Sequence, residues 1–214
     1  MIFRTSRRTI DLSARTWVMG VLNVTPDSFY DGGSFLDPAA AIAQAWEIIE
    51  SGADILDVGG ESSRPGAKPV PVEEELGRVM PVVRALAGRT EAPISVDTWK
   101  PEVARIAVAE GAEIINDITG LQNPEMRAVV HQSGAAVVAM HMRGKPWNMQ
   151  ELPPASDICE EIAEFFQRVL QAAPQPTKII LDPGIGFGKT GADNLAILNR
   201  LDRFLGFGRP LLIG

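Results

Sequence analysis

Short runs of strand character recur along this chain, and six of them stop on a polar side chain. Residues 18–22 run into Asn23, 54–56 into Asp57, 94–96 into Asp97, 114–115 into Asn116 and Asp117, 135–140 into His141, and 179–181 into Asp182. Short, nearly continuous apolar runs mark strands covered on both faces, the situation in a parallel sheet. Segments of helical period stand between them at residues 38–50, 72–87, 101–109, 124–131, 157–172 and 194–204. Asp37 and Pro38 suit the N-cap and first position of the first helix. Three helices end in Gly-Ala and pass straight into a strand, at Gly52-Ala53, Gly111-Ala112 and Gly134-Ala135. Glycine supplies the left-handed residue that closes a helix, so these three places predict tight turns from helix to strand.

Regular alternation of strand and helix predicts an α/β fold around a parallel sheet. An open doubly wound sheet would gather its site at one switch point. Polar termini on nearly every strand instead favour a closed (β/α)8 barrel of the TIM type, with its site at the C-terminal mouth. Residues 1–214 then form a single domain, with residues 1–17 as a short hairpin or arm packed beneath the barrel. Residues 210–214 read as a seventh barrel strand. A barrel of eight units typically needs about 250 residues, so the eighth βα unit is expected to lie outside this sequence.

Composition narrows the partners. The chain has 214 residues, of which 45% are hydrophobic, enough for a real core. A net charge of −7 argues against nucleic acid. A small anion held locally by loops stays compatible with it. No apolar run approaches a membrane span. Residues 6–12 faintly resemble a twin-arginine signal, but the stretch after them is short, interrupted and without a cleavage site. The single cysteine, Cys159, permits no internal disulfide and suits a reducing compartment, so a cytoplasmic protein is expected. It falls in a helical pattern and is expected to pack.

Three loops carry candidate chemistry. Residues 23–33 form a long connection after the first barrel strand, and residues 59–66 combine glycines, hydroxyls and Arg64, a set suited to an anion. Residues 181–191 contain Gly186-x-Gly188-x-x-Gly191, but no strand ending in a ribose-binding acid follows, which excludes a dinucleotide fingerprint. Pro183 stands where a P-loop has its first glycine and removes a needed donor. His131 is expected at a helix end, and His141 is expected to face the mouth. No Cys/His spacing supports zinc.

Taken in order, residues 19–29, 59–66, 95–98, 115–117 and 182–189 resemble the dihydropteroate synthase family, the sulfonamide target of folate biosynthesis. The resemblance covers residues 17–214. It implies a transferase that joins p-aminobenzoate to 6-hydroxymethyl-7,8-dihydropterin diphosphate and releases pyrophosphate. It implies Asp182, Asn116 and Asp97 as the groups that hold the pterin and act in catalysis. Met140 and Gly186 join the substrate pocket, Phe29, Pro65 and Phe187 shape the slot for the benzoate ring, and Ser63 and Arg64 meet the diphosphate. Asn23 is implied as a ligand of Mg²⁺. The residue chemistry agrees: a carboxylate accepts both the exocyclic amine and the adjacent ring N–H of a pterin, and an amide offers a donor and an acceptor.

The chain departs from the family in a few places. Ser63 stands where threonine is usual, and Trp99 and Ile185 replace commoner residues. The family's Ser-Arg-Lys segment, and an Arg and His beyond it, are not in this sequence, so little or no turnover is expected of this chain alone. In the full-length protein a homodimer is expected. Two alternatives stand beside the synthase: the pterin-binding domain of a corrinoid-dependent methyltransferase, and a non-catalytic pterin-binding partner subunit. The loop at Ser63 and Arg64 speaks against the former, because methyltetrahydrofolate has no diphosphate.

Overall fold

The computed structural model describes residues 1–25, 37–173, 175 and 178–214. Two short strands open the chain, β1 (Ile2–Arg4) and β2 (Thr9–Asp11), paired antiparallel with Phe3 opposite Ile10. Strand and helix then alternate: β3 (Met19–Asn23), α1 (Pro38–Glu50), β4 (Ile55–Gly59), α2 (Val72–Leu86), β5 (Ile94–Asp97), α3 (Pro101–Glu110), β6 (Ile114–Asp117), α4 (Pro124–Ser133), β7 (Ala136–Met140), α5 (Ile158–Ala172), β8 (Ile179–Asp182), α6 (Gly191–Asn199) and α7 (Leu201–Leu205). Strands β3 to β8 form one parallel sheet whose spatial order is the chain order. An order without reversal has no switch point, which removes the doubly wound alternative. Beyond β8 the chain continues the series: Leu181 N–H donates to Pro210 and Leu212 N–H to Leu181, each at 2.9 Å.

Alternation along the strands sorts the core into three parts. Leu22, Leu56, Val58, Ile94 and Val96 turn outward against Ala41 and Ala45 of α1, Val79 and Val83 of α2 and Val103 of α3. Ile115, Val137, Ala139, Ile179 and Leu181 do the same against Met126, Ile162, Phe166 and Ile197. The intervening residues Ile55, Ile114, Ala136, Val138 and Ile180 turn inward and meet Phe3 and Ile10. The β1–β2 hairpin therefore plugs the N-terminal end of the barrel. It is fastened there by buried Glu113, which accepts from Thr5 Oγ1 at 2.5 Å and Arg8 Nε at 2.8 Å.

The three Gly-Ala junctions are the turns that the sequence predicts. Gly52, Gly111 and Gly134 have φ of 105°, 122° and 66°, values that a side chain would oppose. The predicted helix 194–204 is instead two. A capping box between Thr190 and Asp193 starts α6 at Gly191, and Arg200, at φ −125° and ψ 27°, separates it from α7.

Candidate active site

Followed toward the C-terminal end of the strands, the inward-facing series changes from apolar to polar. Asp57 pairs in register with Ser95, and Asn23, Gly59, Asp97 and Asn116 form one row across β3 to β6. Met140 and Asp182 are register partners on β7 and β8. Glycine at position 59 leaves room in the row. A Cβ there would lie 3.3 Å from Asn23 Oδ1 and 3.6 Å from Asp97 Oδ2, so both side chains reach over it. Asn116 Nδ2 donates to Asp57 Oδ2 at 2.9 Å. Asp182 is buried, with Oδ1 accepting from Gly184 N–H at 2.7 Å. Asn23, Asp97, Asn116, Met140 and Asp182 thus stand at one end of one sheet. A cavity of about 860 Å³, lined by Phe3, Val21, Ile55, Ile180 and Leu212 among others, shares no residue with this rim.

The structure revises three sequence expectations. Asp57 does not end its strand, because β4 runs on through Val58 to Gly59. It lies one inward step below the rim and holds Asn116 from beneath. Asp117 faces away from the mouth, accepting from Thr119 N–H at 2.8 Å, Thr119 Oγ1 at 2.7 Å and Leu121 N–H at 2.9 Å. Those bonds hold buried Leu121 at φ 60°, a conformation that a branched side chain resists. His141 also turns outward, since alternation gives the inward place to Met140. Its ring meets the edge of Phe165 at 5.2 Å, and its Nε2 lies 3.5 Å from Glu161. Burial, with the charges of Lys189, Arg143 and Arg168, lowers its pKa to about 3, so it is a neutral packing residue. Cys159 is likewise buried at the start of α5.

The loops differ from the strands. Ser63 is half-buried, while Arg64 and Pro65 are exposed on the loop after β4, whose Gly66 N–H donates to Pro146 O at 2.9 Å. Gly186 and Phe187 lie on the loop after β8. Phe187 is half-buried, and Gly186 N–H donates to Asn194 Oδ1 at 3.0 Å. Phe29 and most of the first loop lie outside the described residues. Nothing local in the sequence marks the role of Lys189, whose Nζ donates to the carbonyls of His141, Gly184 and Phe187 at 3.0, 2.7 and 3.0 Å. Lys189 therefore nails the β8 loop down, unlike a P-loop lysine, which must be free for phosphates. At Gly184 (φ 64°) a Cβ would stand 2.0 Å from His141 O, so glycine is required for this closure. The role of Glu61 is equally unmarked in the sequence: it accepts from Trp99 Nε1 at 2.7 Å, Lys100 Nζ at 2.6 Å and Val70 N–H at 2.8 Å.

Acid dominates the electrostatics of the mouth. Burial, and then the neighbouring charges of Asp57, Glu75, Asp117 and Glu61, push Asp97 well above the usual carboxylate range. Burial also raises Asp57, against the opposing pull of Ser95 and Asn116. Asp182 is pushed up to about 6 by burial, partly opposed by Gly184 N–H and the charge of Lys189. Burial lowers Lys189 itself to about 8. Carboxylates in this state gain from any ligand that brings donors or positive charge.

Residues 19–214 match the family described as pterin binding enzyme. The chain belongs to the pterin binding enzyme family. It is 49% identical over 210 residues to the dihydropteroate synthase of Escherichia coli, covering 96% of this chain and 74% of that protein. The dihydropteroate synthase of Yersinia pestis, solved with a sulfonamide drug complex, superposes with a TM-score of 0.91 at 44% identity, covering 100% of this chain and 79% of that one. The Xanthomonas albilineans enzyme, solved in complex with 7,8-dihydropteroate, gives a TM-score of 0.83 at 40% identity, covering 99% and 76%. The barrel read from the strand order is the fold of these pterin binding enzymes. Among the described residues no helix is long and apolar enough to cross a membrane.

Proposed function

We infer that this chain carries the pterin-binding barrel of a dihydropteroate synthase, which condenses p-aminobenzoate with 6-hydroxymethyl-7,8-dihydropterin diphosphate. One observation carries the reading: Asn23, Asp97 and Asn116 share a row over Gly59, with Asp182 on the same rim. The methyltransferase domain and the non-catalytic subunit are not favoured, because the relatives and structural neighbours are synthases.

In this reading Asp182 accepts two donors from the pyrimidine edge of the pterin, and Asn116, steadied by Asp57, meets the mixed part of that edge. Met140 and Gly186 border the ring. As the methylene C–O bond lengthens, pyrophosphate leaves with the bonding electron pair and positive charge grows on the pterin. Asp97 and Asp182 stabilise that charge in a site already arranged for it. The amine of p-aminobenzoate, whose ring lies against Pro65 and Phe187, attacks the methylene carbon and then loses a proton. No protein nucleophile is needed. Ser63 and Arg64 hold the diphosphate.

The oxygen of Asn23 suits Mg²⁺, a hard cation that keeps waters and binds substrate phosphates rather than requiring an all-protein cage. Among the described residues no group of three His, Cys, Asp or Glu forms such a cage. Bound there, the ion would neutralise the leaving diphosphate. A cytoplasmic location fits the single buried, unpaired cysteine, and the homodimer follows from the family resemblance. Isothermal titration with the pterin diphosphate, with and without Mg²⁺, tests the reading. Metal-strengthened binding is expected; a preference for methyltetrahydrofolate contradicts it.

A further inference from the structure

Glu61 opens the loop that carries Ser63 and Arg64, and one carboxylate fixes both of its ends. Its Oε2 accepts from Val70 N–H at 2.8 Å, which closes the chain between residues 61 and 70 into a ring. The same oxygen takes Lys100 Nζ at 2.6 Å, and Lys100 also pairs with buried Glu75 of α2, tying the ring to a helix. Its other oxygen, Oε1, accepts the indole N–H of Trp99 at 2.7 Å. The Trp99 ring faces Lys100 Nζ at 5.4 Å, and it lines a cavity of about 110 Å³ among the loops that follow β5, β6 and β7. Elsewhere on the loop, Arg78 Nη1 donates to Gly60 O at 2.7 Å.

We propose that Trp99 is a positioning residue for diphosphate recognition, acting through Glu61 to hold the loop of Ser63 and Arg64 in one geometry. An indole N–H can only donate, so it orients the carboxylate and leaves Oε2 for Lys100 and Val70. A loop ordered in advance pays less entropy when an anion binds. Phenylalanine at this position keeps a ring beside Lys100 and lacks the donor. The proposal rests on the reading that this loop binds the diphosphate.

The test measures Kd by titration for two probes, 6-hydroxymethyl-7,8-dihydropterin diphosphate and 6-hydroxymethyl-7,8-dihydropterin, with exchange of the Val70 amide followed alongside. Trp99→Phe should weaken the diphosphate probe about tenfold, the scale of one hydrogen bond to a charged group. The plain pterin should change by less than about twofold, and the Val70 amide should exchange faster. Glu61→Gln, which loses the charge facing Lys100, should give the same split. Equal losses for both probes would make Trp99 a packing residue only and overturn the proposal. Wild-type affinities in both variants overturn it too. In either case the functional reading stands if Arg64→Ala still loses the diphosphate probe selectively. A wild-type protein that binds the two probes equally overturns the reading and the proposal together.

Discussion

The rim has two unlike halves. One is rooted in strands: Asp97, Asn116 and Asp182 are set by sheet register, and their backbones are fixed by neighbouring strands. The other is borne on loops: Arg64 and Pro65 are exposed, and their loop is held by side-chain ties to Glu61 and the bond from Gly66 to Pro146. A flat heterocycle that must be held in one orientation suits the first half. A leaving group that must arrive, be shielded and depart suits the second. The division lets one barrel set its recognition floor by strand register and its anion-facing loop by side-chain ties.

The largest expected effect breaks the strand-rooted half through its backbone. Gly184→Ala places a Cβ against His141 O at a positive φ, and should cost about 3 kcal/mol of stability. Urea unfolding measures it, and an unchanged midpoint would show that the β8 loop is not closed as described. Arg64→Ala is next and addresses the loop half alone. It should cost roughly 1.5–3 kcal/mol for ligands carrying the diphosphate and spare plain pterin, with no loss of stability. Equal losses for both ligands would dissolve the distinction between the halves. The smallest effect is a control outside both. Asn123→Ala removes the N-cap acceptor of α4 for Glu125 N–H and should cost about 1 kcal/mol of stability, with pterin affinity unchanged.

The two halves were also unequally legible in the sequence. Asp97, Asn116 and Asp182 stand out because a polar residue ending an apolar run is a local signal, and the sheet then brings such ends to one edge. That signal reports where a run stops but not which way the last side chain points. Asp117 and His141 carried it and turned outward, because alternation gave the inward place to Asn116 and Met140. Asp57 carried it too early, since Gly59 reads as loop yet finishes β4. The ties of the loop half were hidden for another reason. Glu61 meets Trp99 and Lys100 from nearly forty positions away, a contact created by the pairing of β4 with β5, which sets Gly59 beside Asp97. The one local hint was the acidic first turn of α2, Glu73 to Glu75, with a lone lysine after β5.

Asp182 offers the most direct test of the strand-rooted floor. Its pKa near 6 lies above the ordinary 3.8, so its ionised form is disfavoured in the empty pocket and the proton is held until about pH 6. That ionisation costs stability above about pH 6, and the cost is relieved as pH falls toward 3.8. Pterin donors need the ionised carboxylate, so a bound proton competes with them. The decisive measurement is the Kd of plain pterin from pH 8 to pH 5 in the wild type and in Asp182→Asn. The wild type should bind most tightly above pH 6 and lose about tenfold by pH 5. The variant should bind roughly 1.5–3 kcal/mol more weakly at pH 8, with a flatter profile. Equal affinities in the two proteins at every pH would contradict a pterin seated on Asp182.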